Sequence, residues 1–516
     1  MSSETVDISK YITAQISSTA PLEIRASSIP GARDGLFTTS AINEGEEIFR
    51  SDPLVNCVDD PVRKSVCDYC FHSSESPIMQ SGRFREASDV VAPFKMCAKC
   101  KVCYYCSRAK AWKRYHRHEC SILRARDLYA RTRALVRLLS MRTANLISDE
   151  QWSAVHRLET HQAEHMSGPS SEMNQQVALF ASMSTKFDPV EVLKIHCAIL
   201  TNTMSMKAAE GPETRGTTLD LAGSLMNRSC DPNAFVFFEG RQMRVRALRP
   251  LRAGDEILQT YVDHTSSVFF RLATTESDYF FQCSCTRCQS EVAELKALTP
   301  ENDPTWLEKL AIAQQMLLNV SNDAAAQFNS TGIPPRVADL ESSIQKIARV
   351  PFNETAIWPD GMPPMPGVLC NVASTCKVTG NYPDALRYSL MALLTLRWRT
   401  GDEWVHLLLE TVQYLSLLLS GATPHPVFRD GTVLAQDDAW NVMHGYLGEL
   451  KRAATIVYGS DCAYTRAISK WYAEAVAAAG LPRPGSSAFR AAYGRSQGRL
   501  RRWAGVQETR GITLSV

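Results

Sequence analysis

The chain has 516 residues, 45% of them hydrophobic and 21% charged, with a formal net charge of +2. That length calls for about three packed units, and that charge gives no global attraction to nucleic acid or to an anionic membrane. No apolar run reaches the roughly 18 residues of a membrane span, and the opening MSSETVDISKYITAQISS lacks an apolar core of signal-peptide length.

An intracellular, reducing setting is therefore expected, in which sixteen cysteines bind metal or are simply buried rather than pair as disulfides. From the N-terminal end, LEIRASSIPGARDGLFTTSAINEGEEIFRSDPLV reads as short strands interrupted at Pro30-Gly31, Gly35 and Gly45. Next come CDYC at 67–70, CAKCKVCYYC at 97–106 and HRHEC at 116–120. Two-residue spacers let both thiolates of a knuckle reach one tetrahedral zinc, and His116 and Cys120 stand one helical turn apart. Eight ligands from this zone would fill two closed sites. From about Ala109 to His161 the pattern is helical and basic, and the arginines of RARDLYARTRALVRLLSMR read as a solvated face. Phe187 to Met206 reads as another helix.

In LMNRSCDPNAFVFF, Asp231-Pro232-Asn233 is a turn signal, but turn chemistry does not account for Cys230. AFVFFEGRQMRVRAL alternates on both sides of Glu239-Gly240 as a hairpin does, and DEILQTYV reads as one more strand. FFQCSCTRC then supplies Cys283, Cys285 and Cys288, which leave a tetrahedral zinc one ligand short. Cys230 is the candidate for the fourth. Outside these zones, Cys57, Cys197, Cys370, Cys376 and Cys462 read as buried small hydrophobes. Beyond about Glu294 the character changes to long apolar-periodic helices. Ala385, Leu386, Ser389, Leu390, Leu393 and Leu394 form one stripe after a Gly380-Asn381-Tyr382-Pro383 start.

GARDGLF, IFRSDPL, the cysteine-rich finger, NRSCDPN, AGDEILQTYVD and YFFQCSCTRC, in this order, resemble the SET and MYND domain family of protein lysine methyltransferases over about residues 20–290. The resemblance implies an α+β chain: a SET-domain β fold with an inserted MYND-type zinc finger, a cysteine-rich post-SET segment and a C-terminal all-α, tetratricopeptide-like domain. The implied boundaries are 20–60 for the N-terminal part of the SET domain, 61–122 for the finger and 123–200 for a helical insertion. They continue with 201–265 for the catalytic core, 266–292 for the post-SET zinc segment and 293–516 for the helical domain.

The resemblance further implies that Arg33, Asp34 and Gly35 run along S-adenosylmethionine and that Asn202 and Asn227 hold its amino-acid end. Phe281 would pack on the adenine and His161 would add a contact. Arg228 stands where the family has His, so a backbone contact to adenine is expected there without the ring contact. Tyr261 is the implied catalytic residue, bordering the transferring methyl, with Met204 and Tyr279 lining the lysine channel. In the finger, the family's third knuckle would end at Lys110. Cys103 is the substitute, giving Cys67, Cys70, Cys103 and Cys106 for one zinc. Cys97, Cys100, His116 and Cys120 would bind another, with His118 as the alternative to His116. Cys230, Cys283, Cys285 and Cys288 make the third of three zinc ions. The loop from Cys70 to Cys97 is expected to protrude.

The implied activity is N-methylation of lysine in a histone or non-histone protein, in a narrow aromatic channel that desolvates the amine and lowers its pKa. The alternative is a catalytically inactive adaptor, which Arg228 and Lys110 favour. A base-reading zinc-finger protein is a third reading, and the repeated Cys/His units it needs are missing. The expected partners are a protein carrying the target lysine and proline-rich or other peptides at the finger. No membrane and no sequence-specific nucleic acid are expected; the chain is expected to be monomeric, in the cytoplasm, the nucleus or both.

Overall fold

Short strands make up residues 21–105 and 204–259, with a run of helices between them. The computed structural model describes residues 12, 17–18 and 21–506, apart from 80–82, 87–88, 90–91, 107–114, 212, 264, 301–302, 334, 421–425, 429–434 and 479–484. The chain divides into two compact units, one of Met1–Tyr261, Thr274–Gln282 and Ile456–Tyr464, the other of Val262–Ala273, Cys283–Thr455 and Thr465–Val516.

The first unit holds the sheets. Its largest sheet is antiparallel, in the order Ser17–Ser18, Glu47–Ser51, Gln242–Ala247, Ala234–Glu239. The last two strands are the expected hairpin, turning at Gly240 with φ of 62°, where glycine alone escapes the Cβ penalty. A second sheet runs Met204–Lys207, Thr214–Leu219, Val55–Val58. Asn227–Arg228 pairs in parallel with Leu258–Gln259, Asn227 opposite Leu258. Apolar residues of Glu47–Ser51, Val55–Val58, Met204–Lys207, Ala234–Glu239 and Gln242–Ala247, among them Phe49, Met243 and Val245, meet in one buried core with Met226 and Ile257, which flank the parallel pair.

Two expected elements are shorter in the structure. DEILQTYV is a strand only at Leu258–Gln259, and the Asn233 side chain binds the backbone at its start: its Nδ2 donates to Glu256 O at 2.8 Å and its Oδ1 accepts from Leu258 N at 2.8 Å. The expected helix up to Met206 is Pro189–Asn202, capped by Asp188, whose side chain accepts from Glu191 N. At Thr203 the backbone turns extended (φ −76°, ψ 141°) and Met204 enters a strand. The basic stretch resolves into Arg117–Ala125, Ala130–Thr143 and Asp149–Arg157, the last opened by a Ser148/Gln151 capping box.

The second unit is helical, including Trp306–Thr331, Val337–Arg349, Met365–Val378, Tyr382–Thr395, Gly401–Leu419 and Ser487–Ala504. Asn381 caps the Tyr382–Thr395 helix, Pro383 sits in its first turn, and the whole expected stripe from Ala385 to Leu394 is buried. Of the five isolated cysteines, Cys57, Cys197, Cys376 and Cys462 are buried as expected, whereas Cys370 is only partly covered. Among the described residues no helix is long and apolar enough to cross a membrane.

Candidate active site and metal centres

In the finger, Cys97, Cys100, His116 and Cys120 are all buried and their ligand atoms lie within 4.8 Å of one another. Cys97 Sγ is 3.9 Å from Cys120 Sγ and 3.2 Å from His116 Nε2. Sulfurs about 2.3 Å from a tetrahedral zinc would stand roughly 3.8 Å apart, so this donor set fits zinc. The other imidazole nitrogen, Nδ1, faces Glu119 Oε1 at 3.5 Å, the carboxylate partner that fixes a ligating ring. His118, the alternative ligand, instead accepts from Arg117 Nε at 2.8 Å.

The first knuckle groups Cys67, Cys70 and Cys106, with both Cys67 and Cys70 sulfurs 3.5 Å from that of Cys106. Cys103 departs from the expectation. It is turned away from this trio to lie with His116 and Glu119, and its sulfur accepts from Arg133 Nη2 at 3.0 Å. Lys110 lies outside the described residues.

The reading of the arginines as a solvated face is corrected for two of them. Arg133 and Arg137, one turn apart on Ala130–Thr143, are 4% and 1% exposed. Arg133 pairs with Asp68 Oδ1 and Glu119 Oε1, both at 2.7 Å, and Arg137 pairs with Glu119 at 2.7 Å and Asp68 at 3.0 Å. Burial alone would raise the Glu119 carboxyl, but the two guanidiniums outweigh it and hold it well below the usual range. Asp68 sits between the ligands of one knuckle and Glu119 beside those of the other, so this four-charge cluster locks the finger to the helix.

The residues expected around the cofactor are linked by direct contacts. Asn202 Nδ2 donates to Glu159 O at 2.7 Å and Ala198 O at 2.8 Å. Glu159 Oε2 pairs with Arg33 Nε at 2.6 Å. Asn227 Nδ2 donates to Asp34 O at 3.1 Å and Glu256 Oε1 at 2.7 Å. Both amides thus spend their N–H groups on the protein. Among the described residues each keeps its Oδ1 free, an acceptor suited to an ammonium group. A Cβ on Gly35 would run into Glu256 Oε1 and reach 3.0 Å from Asn227 Nδ2, so only glycine admits this approach. His161 has a left-handed φ of 43°, and its ring centroid lies 5.3 Å from that of Phe280, which also packs edge-on to His165 at 4.9 Å.

Tyr261 donates its hydroxyl to Met226 O at 2.9 Å, one residue before Asn227. Its ring is 5.1 Å from that of Tyr279, whose hydroxyl donates to Tyr261 O at 3.3 Å. Burial raises the pKa of the Tyr261 hydroxyl well above that of an ordinary tyrosine, with the neighbouring Tyr279 adding to the effect. Met204 packs on Gly223 and takes the Gln259 amide on its sulfur at 3.6 Å. Arg228, 6% exposed, lies over the Phe281 ring at 4.7 Å and donates Nη2 to Cys230 Sγ at 3.1 Å, while its Nε and Nη1 have no partner among the described residues. Buried guanidinium donors without acceptors cost free energy unless a ligand completes them. In the second unit, Cys285 stands at the N-cap position of the Thr286–Leu298 helix without a side-chain capping bond, and Cys288 is buried near the Arg271–Glu291 ion pair.

Sequence reasoning missed Glu159, Glu256 and Phe280 as parts of this arrangement. Glu256 stood in the quoted AGDEILQTYVD with no signal to set it apart from a surface acid. The φ of 60° at Phe280, which turns its ring towards His161, has no sequence signature.

Residues 33–262 match the family model of the SET domain. The chain is 28% identical over 295 residues to histone-lysine N-methyltransferase SMYD3 of Mus musculus, covering 53% of this chain and 63% of that one. It is 27% identical over 234 residues to SET domain and MYND-type zinc finger protein 6 of Schizosaccharomyces pombe, covering 44% and 46%. With N-lysine methyltransferase SMYD2-B of Danio rerio it shares 25% over 379 residues, covering 70% and 80%. The matches to the mouse and yeast proteins, at 63% and 46%, span less than two thirds of those relatives' lengths.

Proposed function

We propose that this chain, which belongs to the SET and MYND domain family, is a protein lysine N-methyltransferase that uses S-adenosylmethionine. The observation that carries the proposal is the linked set of Arg33, Glu159, Asn202, Asp34 and Asn227, with Tyr261 tied to Met226 beside it. Two free amide oxygens suit an α-ammonium group, and the unpaired Arg228 N–H groups suit a ligand rich in acceptors. S-adenosylmethionine, when bound, supplies a methyl group activated by a positive sulfonium.

Asn202 and Asn227 hold the amino-acid end of the cofactor, Arg33, Asp34 and Gly35 border it, and His161 and Phe281 flank it. Tyr261, kept protonated by burial, orients the substrate amine through its hydroxyl. Tyr279 and Met204 narrow the channel, strip water from the lysine and favour its neutral, nucleophilic form. The substrate is a protein, histone or otherwise. Finger peptides, a monomeric state and a cytoplasmic or nuclear location belong to the same reading. So do three zinc ions, with Cys230 completing Cys283, Cys285 and Cys288.

Asn227→Ala should weaken binding of S-adenosylmethionine by about 1.5–3 kcal/mol, the value of a hydrogen bond to a charged group, read by isothermal calorimetry. The reading itself is tested by incubating the zinc-loaded protein with S-adenosylmethionine carrying a labelled methyl group and with extract proteins, then analysing hydrolysed residues. Labelled methyllysine supports it. Saturable cofactor binding without methyllysine favours the adaptor.

A further inference from the structure

The two finger centres are not equivalent. One is closed by Cys97, Cys100, His116 and Cys120, all buried, while the other gathers Cys67, Cys70 and Cys106, of which Cys70 is part-covered and Cys106 exposed. Cys103, the cysteine that spacing offers as a fourth ligand, is 1% exposed and held by Arg133 beside His116. The residues that follow Cys106, SRAKAWKR, contain no Cys, His, Asp or Glu, so they bring no ordinary zinc ligand whatever their arrangement. Among the described residues no other such group lies within 4.8 Å of all three sulfurs. His72, two positions after Cys70, is outside the group.

We propose that the first finger site binds zinc through three thiolates only, and that its fourth position, on the exposed Cys106 side, is open to an exchangeable solvent oxygen or a small thiol. Structural zinc sites are closed by four protein ligands, and an open position is the mark of a zinc that exchanges ligands. Three thiolates leave the ion with one net negative charge and one coordination position for an incoming donor. The consequence is a labile zinc beside a stable one within a single finger. This inference rests on the finger binding zinc and not on methyl transfer, so the two readings fail separately.

The test is release of zinc from the full-length, zinc-loaded protein to the chromophoric chelator 4-(2-pyridylazo)resorcinol, paired with cobalt substitution. One equivalent should leave at least about tenfold faster than the rest, in keeping with the sensitivity of metal sites to a lost supporting group. Cys106→Ser should remove that fast equivalent alone, and Cys103→Ser and His72→Ala should leave it unchanged. In the cobalt-loaded protein, added 2-mercaptoethanol should shift the thiolate-to-cobalt absorption of one site. A single slow phase, a fast equivalent lost or accelerated by Cys103→Ser or His72→Ala, or cobalt bands that ignore the thiol would each overturn the proposal. Absence of zinc from the purified protein would remove the zinc reading as a whole.

Discussion

Tyr261→Phe is expected to lower methyl transfer by about 100-fold or more, roughly 2.7 kcal/mol of transition-state stabilisation, while affinity for S-adenosylmethionine changes by less than about 1 kcal/mol. The substitution removes one oxygen and leaves the ring against Tyr279, 5.1 Å away. The lost group is the hydroxyl that now donates to Met226 O and that the proposed mechanism uses to hold the incoming amine in line. Because burial raises its pKa, this hydroxyl stays neutral through the neutral and mildly alkaline range. The rise of rate with pH should then follow loss of the proton from the substrate lysine, and the residual activity of Tyr261→Phe should keep the same alkaline limb. Single-turnover transfer of labelled methyl, with calorimetry in parallel, checks both statements. Full activity in the variant would remove Tyr261 from its role.

The largest effect on stability is expected from Arg137→Met. Arg137 is 1% exposed, pairs with Glu119 and Asp68, donates to Asn56 O and lies 4.4 Å from the Tyr115 ring centroid. Methionine fills most of the volume but leaves two buried carboxylates sharing Arg133 and a backbone carbonyl without its donor. Breaking a buried ion cluster by removing one partner costs about 3–5 kcal/mol. Arg249→Met, which disrupts a pair whose side chains are 47% and 41% exposed, should cost less than about 1 kcal/mol. Urea unfolding of the zinc-loaded proteins, followed by tryptophan fluorescence, measures both. Equal midpoints for the two variants would show that the cluster does not lock the finger to its helix.

Much of the site was legible because its chemistry needs rare residues at fixed spacings. The Cys97, Cys100, His116 and Cys120 group meets as the knuckle spacing requires, and the hairpin about Gly240 follows from its alternation and its turn. The order of motifs led to the SET domain. What stayed hidden depends on tertiary context. Arg133 and Arg137 carry the same local pattern as the exposed arginines around them, and only the acids at positions 68 and 119, far off in sequence, make their burial tolerable. Cys103 has knuckle spacing but is drawn away by Arg133, and no local rule gives that partner. The backbone at the start of the strand at 258–259 is held by the side chain of Asn233, twenty-five residues before Leu258, which no local pattern gives.

The central claim is that Asn202, Asn227, Arg228 and the residues linked to them form a pocket for S-adenosylmethionine. Isothermal calorimetry of the zinc-loaded, folded wild-type chain with S-adenosylmethionine tests this most directly. The account predicts saturable binding with one site per chain, weakened by Asn227→Ala. No detectable binding by the folded wild type would contradict it.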